Sequence, residues 1–470
     1  MIGFLLIGLL TPFLVCFVVL SLTLFPRRTS LSLFLLKASL SVGLGIGFSS
    51  VAFLLVLLDG GPSAQHQAWL VGLPSTAAVL AGIAQRNRSY GVGEDCPAPR
   101  DADEGPYLRW IGVLFWFSLV FMLGESLVLV HHFPHGAWDA WAGWNLRARF
   151  LLRGGENWLD LAQLSAFFVP WYPLLVPAFI AECWCFLGHD TWLVPPLVGL
   201  LYTLATVGLV AAGLTVLRSC WWGGLGGLVL TSSSLFVLSG TWQTADAPVA
   251  FYMTATVLCF CLVPRFPRVE SRLVLLAGVM AGFAAWTKRE GLAFLVCVSA
   301  ARLLFSERGL EWRRRSKDLL RFLVGALPGL LALAAFEIAV HNANPDRVWK
   351  TPDLAAEARI WDPGRWAEVI DLTGREVLAF GNWILPSFLV FLLLIGLGST
   401  PAFRPALRSM LASLAFLFAV YLIYFFLSPD VLEWHAKSTV VRLFGQIWPS
   451  LVFLGMMAGR KLEKAESGAT

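Results

Sequence analysis

"LSLFLLKASLSVGLGIGFSSVAFLLVLL", residues 31–58, carries a single ionisable side chain, Lys37, along its whole length. A bilayer core is crossed by about 20 helical residues. A run this long and this apolar reads as a helix in lipid, the one simple structure that satisfies every backbone polar group without water. Similar runs recur along most of the chain. The 470 residues are 57% hydrophobic and 14% charged, with mean hydropathy +0.72. Soluble domains average about 25% charged. The composition therefore excludes a soluble multi-domain protein. The net charge of +5 is spread over loops between apolar runs. It forms no basic stripe, so no nucleic-acid partner is expected.

The apolar runs predict an all-α, polytopic transmembrane bundle of about 13 spans, at 3–25, 31–58, 68–84, 109–131, 191–216, 222–240, 248–263, 272–287, 291–306, 319–340, 384–398, 409–428 and 440–458. The first run lacks a basic flank before it and reads as a span, not a cleaved leader. Residues 85–108, with "GEDCPAPRDADEGP", read as a cytoplasmic linker. They divide an N-terminal three-helix unit (1–84) from the remaining transmembrane module (109–460), which is followed by a short cytoplasmic tail (461–470). The Cys183/Cys185 and Cys259/Cys261 pairs lie in apolar sequence and read as small buried hydrophobes.

Short loops rich in Lys and Arg stay in the cytoplasm. "PRR" (26–28), "PRFPRVESR" (264–272), "ERGLEWRRRSK" (307–317), "FRPALR" (403–408) and "GRKLEK" (459–464) all fall on one side if the spans alternate from an external N-terminus. The other side then receives residues 131–190, the turn at Asp246, the turn at 288–290, residues 341–383 and residues 428–439. The apolar segment 170–188 contains Pro173 and Pro177. Counting it as a span would invert every later loop, so it is expected as a re-entrant or surface helix.

Ionisable residues gather on that outer side. "GAWDAWAGWNLRARF" (136–150) sets Asp139 between Trp138 and Trp141. The segment has helical spacing, with Trp138, Trp141 and Trp144 toward lipid or core and Arg147, Arg149 and Arg153 near head groups. A Trp belt accounts for the rings but not for the carboxylate. Asp246, two residues before Pro248, reads equally as a helix cap and as a site residue. "WTKREG" (286–291) keeps Lys288 and Arg289 on the side the charge rule disfavours, together with Glu290. That is either an ordinary polar turn or a place to hold an anion. Arg442 lies about a turn inside the last apolar run, where it must snorkel or meet an anion. His131, His135 and Asp139 have the i, i+4, i+8 spacing of metal ligands, but Pro134 and Gly136 interrupt the helix, so no metal is assigned.

Carboxylates, cations and aromatic rings at one membrane face suit a lipid that carries a phosphate. Lys288, Arg289 or Arg442 would meet the phosphate through charge-assisted hydrogen bonds. If that phosphate links the lipid to a sugar, it is also the leaving group, and fixed positive charge stabilises it as it departs. Asp139 would take the proton of an acceptor hydroxyl, a role typically worth about 10²–10⁴-fold. Asp246 would orient the acceptor or support Asp139. No cofactor is required, and nothing in the sequence supports a divalent ion.

Five motifs in order, "WDAWAGWNLRARFL" (138–151), "YPLLVP" (172–177), "ADAPVAFY" (245–252), "WTKREG" (286–291) and "WHAKSTVVRLFGQIWP" (434–449), resemble the C-type (GT-C) polyprenyl-phosphate-sugar-dependent glycosyltransferases. The resemblance is to family-39-like proteins related to protein O-mannosyltransferases and lipid A aminoarabinose transferases. It covers about residues 109–460. It implies a GT-C bundle whose large first external loop carries juxtamembrane helices, with Asp139 as catalytic base and Asp246 as the second acidic residue. By resemblance, Lys288, His435 and Arg442 fall where phosphate or substrate contacts are expected; Trp138, Arg147, Tyr172, Arg289 and Glu290 of the quoted motifs, with Asp246, complete the expected substrate-binding set. The implied partners are a polyprenyl-phosphate-linked sugar, a hydroxyl acceptor on a glycan, lipid or protein, and membrane lipid. The implied location is a bacterial inner membrane, with the site facing the periplasm. An O-antigen ligase or polymerase and a transporter or flippase of lipid-linked substrates are the competing classes.

Overall fold

The computed structural model describes residues 2–25, 30–61, 107–164, 172–305, 312–345, 359, 361–428 and 432–460. The expected span 68–84, most of the linker 85–108 and the tail 461–470 lie outside them. In chain order the α-helices are α1 (Ile2–Thr23), α2 (Leu31–Leu58), α3 (Tyr107–His132), α4 (Asn145–Arg153), α5 (Leu175–Leu187), α6 (Val194–Leu217), α7 (Cys220–Thr231), α8 (Ser234–Thr241), α9 (Asp246–Leu262), α10 (Glu270–Thr287), α11 (Arg289–Phe305), α12 (Trp312–Ala343), α13 (Pro363–Leu378), α14 (Phe380–Ile395), α15 (Arg404–Leu427) and α16 (Leu432–Ala458). Seven helical segments among the described residues are long and apolar enough to cross a bilayer, or nine if each of two bent pairs counts as one. The fold is an all-α bundle of a multi-pass membrane protein.

Every residue of α9 is buried, and α9 packs against α6, α10 and α16 at the centre of the bundle. Lipid offers no hydrophobic drive between helices, so close approach of small residues takes its place. The α10–α12 crossing shows this. Gly278 and Gly282 face Gly325 and Gly329, and a Cβ on Gly278 would stand 1.9 Å from the Phe322 carbonyl oxygen. The two backbones touch directly. The first helices belong to the same packed body. Tyr252 of α9 donates to the Gly43 carbonyl of α2 at 2.8 Å, and Trp286 of α10 donates to Ser50 of α2 at 3.0 Å.

Three expectations change. The expected span 222–240 is two helices bent by 67° between α7 and α8. Thr231 and Ser232 turn their hydroxyls onto carbonyls of the preceding turn, and Ser233 is extended. Such side chains compete with helical bonding. The span 384–398 likewise forms the second arm of a pair bent by 79°, because Gly381, Asn382 and Trp383 all have positive φ. Its first arm, α13, occupies a segment read as loop. It starts at Asp362, whose carboxylate caps Gly364 N at 2.9 Å, with Pro363 in the first turn. Finally, of the two expectations for 170–188, the surface helix does not hold for α5. Nearly all of it is buried between α4 and the α1–α2 pair, and its Glu182 accepts from Ser49 of α2 at 2.7 Å.

The polar loops sort into two ends. Arg272 donates to the Thr23 carbonyl, Phe25 meets Phe266, and Arg314 pairs with Glu270 at 3.6 Å. These basic connections share one end. The opposite end joins Trp158 to Leu57 and Gln163 to Ala343, and it holds Asp139, Asp246, Lys288 and Arg442. The 17 residues of α9 separate the two ends by about 25 Å at 1.5 Å per residue.

Candidate active site

Four chain segments deliver the site. The first follows α3. A tight turn at Gly136 (φ +73) leads to Asp139, and a π-helix at Ala140–Trp144 then runs into α4. Short π-helical insertions recur at functional sites. Here the insertion breaks the regular helix expected from the Trp spacing. Trp138 and Trp141 stay largely exposed, while Trp144 is buried and stacks on Tyr172 at 5.8 Å. The arginines divide differently from expectation. Arg147 is 1% exposed, sits over the Trp144 ring at 4.4 Å and donates to the Tyr172 carbonyl at 2.6 Å. Burial removes it from the head groups and pulls its guanidinium down to about 9, so it remains charged at neutral pH. Arg149 and Arg153 instead hold Asp190 at 3.2 and 2.7 Å.

The second segment is the start of α9. Asp246 is 4% exposed and is the first residue of α9, with Ala245 in the capping position. One carboxylate oxygen accepts from Lys288 Nζ and Gln446 Nε2, both at 2.8 Å. The other accepts from Arg442 at 2.9 and 2.8 Å and from the Thr244 hydroxyl at 3.1 Å. Gln243, just before, has φ 58 and bridges Asn145 to the Pro134 carbonyl, which pins the Asp139 segment to the Asp246 turn.

The third segment is the α10–α11 turn. Lys288 is extended, and α11 begins at the next residue. Gly291 permits this reversal, because a Cβ there would lie 1.9 Å from the Ala284 carbonyl oxygen. The Lys288 ammonium bridges Asp246 and Glu290 at 2.8 and 2.7 Å. Burial alone would lower its pKa, but the two carboxylates outweigh it and hold it above the ordinary lysine value. Arg289 reaches Glu337 of α12 at 3.4 Å.

The fourth segment is the first half of α16. Arg442 meets carboxylates of the protein itself. Its guanidinium joins Asp139 at 2.5 Å to Asp246 at 2.8 Å. His435 is buried against Tyr424 and Phe425.

Between these segments lies a cavity of about 470 Å³, within the range typical of small-molecule sites. Trp138, Asp139, Arg147, Tyr172, Lys288, Arg289, Glu290, His435 and Arg442 all line it. Asp246 does not. It lies behind the cations and anchors them, a position that fits the supporting role of the two expected for it and not direct contact with the acceptor. Tyr421 and Tyr424 of α15 add aromatic wall that the sequence reading missed. Also missed was Gln446, which accepts from the Tyr421 hydroxyl at 3.1 Å and donates to Asp246. Its signal was present: 435, 439, 442 and 446 follow one helical face at steps of 4, 3 and 4. His135 lines a separate, shallower depression with His132 and Arg149. Among the described residues no three His, Cys, Asp or Glu side chains are grouped to hold a metal.

The arrangement can hold an anion against Lys288 and Arg442, seat a flat or ring-shaped group against aromatic walls, and present the half-exposed Asp139 carboxylate to a bound hydroxyl. Comparison with protein-family models, curated proteins and solved structures gives no match for this chain.

Proposed function

We propose that this protein is an inverting membrane glycosyltransferase of GT-C type. On this reading it crosses a bacterial inner membrane about 13 times and transfers a sugar on the periplasmic side from a polyprenyl phosphate to a hydroxyl acceptor. The observation that carries the reading is the single Arg442 guanidinium that bridges Asp139 and Asp246 at the wall of an aromatic cavity. A cation that close to a half-exposed carboxylate supplies both halves of the chemistry. Asp139 accepts the acceptor's proton as its oxygen attacks the anomeric carbon from the face opposite the phosphate. The bond from that carbon to the phosphate oxygen breaks, and its electron pair leaves with the phosphate. Arg442 and Lys288 stabilise the charge gathered there, in a site where fixed donors need no reorganisation. Asp246 keeps the two cations in place, and Trp138, Tyr172, Tyr421 and Tyr424 offer ring faces to the sugars.

The test compares surface glycans and glycolipids by mass spectrometry in cells with and without the protein. A difference of one sugar unit is expected, and Asp139→Asn is expected to abolish it at unchanged protein level in the membrane. Full activity in that variant would remove Asp139 as the base. Unchanged glycans with altered solute uptake would replace the transferase by a transporter.

A further inference from the structure

The cations of the cavity are already engaged. Lys288 is shared by Asp246 and Glu290, Arg289 reaches Glu337, and Arg442 is shared by Asp246 and Asp139. Arg147, the other arginine of the lining, donates to the Gly143 and Tyr172 carbonyls, so it is at Lys288 and Arg442 that an arriving anion takes the place of a carboxylate. The carboxylates are held unequally. Asp246 is buried and accepts from Lys288, Gln446, Arg442 and Thr244. Asp139 has 37% of its side chain exposed, meets Arg442 through one oxygen, and makes no cap bond to the π-helix that follows it. It also faces the cavity, which Asp246 does not. Arg442 keeps its Nε and one terminal nitrogen on Asp246 while the other terminal nitrogen points to Asp139. That outward nitrogen can change partner without disturbing the buried anchor.

We propose that Asp139 occupies, in the ligand-free protein, the position on Arg442 that a phosphate monoester takes, so that the arriving anion displaces Asp139 and frees its carboxylate. The glycosyl-transfer reading is needed only for what the freed carboxylate does next; the exchange stands on the ion pairs alone. In that reading the base becomes available only once the donor's phosphate is seated, and the donor binds before the acceptor reacts.

Binding to the full-length protein in detergent micelles tests this, with farnesyl phosphate, inorganic phosphate and farnesol as probes. Removing the competing carboxylate must strengthen anion binding. The upper range for a half-exposed ion pair converts to about fivefold, so Asp139→Asn and Asp139→Ala are each expected to bind farnesyl phosphate about fivefold tighter than the parent. Glu156→Gln removes the same charge from an exposed position outside the cavity and is expected to change nothing. The same gain with inorganic phosphate assigns the site to the phosphate group alone. A gain confined to farnesyl phosphate assigns it to a lipid-linked phosphate. Equal or weaker binding in both Asp139 variants overturns the exchange, as does an equal gain in Glu156→Gln or tighter binding of farnesol. Loss of sugar transfer in Asp139→Asn without tighter binding would leave the transferase and remove the exchange. Tighter binding in a protein that transfers no sugar would do the reverse.

Discussion

Asp246→Asn removes the anchor of the cation cluster while keeping the shape of the side chain. Lys288 stands 2.8 Å from the Asp246 carboxylate and is only 7% exposed. At an effective dielectric near 20 that contact alone is an attraction of about 6 kcal/mol before desolvation is counted. Breaking a buried pair at one partner typically costs about 3–5 kcal/mol. The asparagine keeps one accepting oxygen but turns an amide NH₂ toward a cation, so a loss of about 3 kcal/mol is expected. Asp139→Asn, at a pair with 29% and 37% exposed side chains, should cost no more than about 1 kcal/mol. The assay is thermal unfolding in detergent at one fixed scan rate, since unfolding of such proteins is seldom reversible. Asp246→Asn should melt several degrees lower than Asp139→Asn. Lys288→Met added to Asp246→Asn should recover at least about 1 kcal/mol, because it removes the cation left without its main partner. If Asp246→Asn melts with the parent, or the double variant is simply additive, the account of Asp246 as anchor is wrong.

Gly282→Leu should destabilise the bundle by at least about 3 kcal/mol, read as lower yield of monodisperse protein, since the added Cβ would meet the Ala326 carbonyl oxygen at 2.4 Å and neither backbone can yield. Gln446→Leu leaves the Tyr421 hydroxyl and one Asp246 oxygen short of a partner and should cost about 1–3 kcal/mol by the same melt, with Gln446→Glu worse because it sets a second carboxylate beside Asp246. Single cysteines at the exposed positions Asp371 and Ser271, in a background lacking competing thiols, test orientation with an impermeant thiol reagent on intact cells; labelling at 371 and protection at 271 are expected, and the reverse pattern inverts the map.

Charge against an apolar background made much of the site legible. Asp139, Lys288 and Arg442 each interrupt or border a long apolar run, where an ionisable group is costly unless it has a partner. The residues that complete the cluster carry no such mark. Gln446 and Tyr421 are neutral residues inside helices, and their importance depends on which helix faces them. The depth of Asp246 was equally hidden, because a cap and an ion-pair anchor occupy the same place before a helix. The breaks at Ser232–Ser233 and Gly381–Trp383 had local signals in "TSSS" and "FGNW", but apolar runs on both sides masked them. The twin Gly-x-x-x-Gly patterns at 278–282 and 325–329 are a known signature of close helix contact, and only their meeting shows that they pair with each other.

That meeting has a mechanical result. Two helices in contact main chain to main chain have no side-chain layer to repack, so sliding by one residue would drive a side chain into a carbonyl. The α10–α12 pair is thus a fixed abutment with Lys288 and Glu290 mounted at its tip. The walls of the chamber supplied by α15, α16 and the π-helix are not built on that contact.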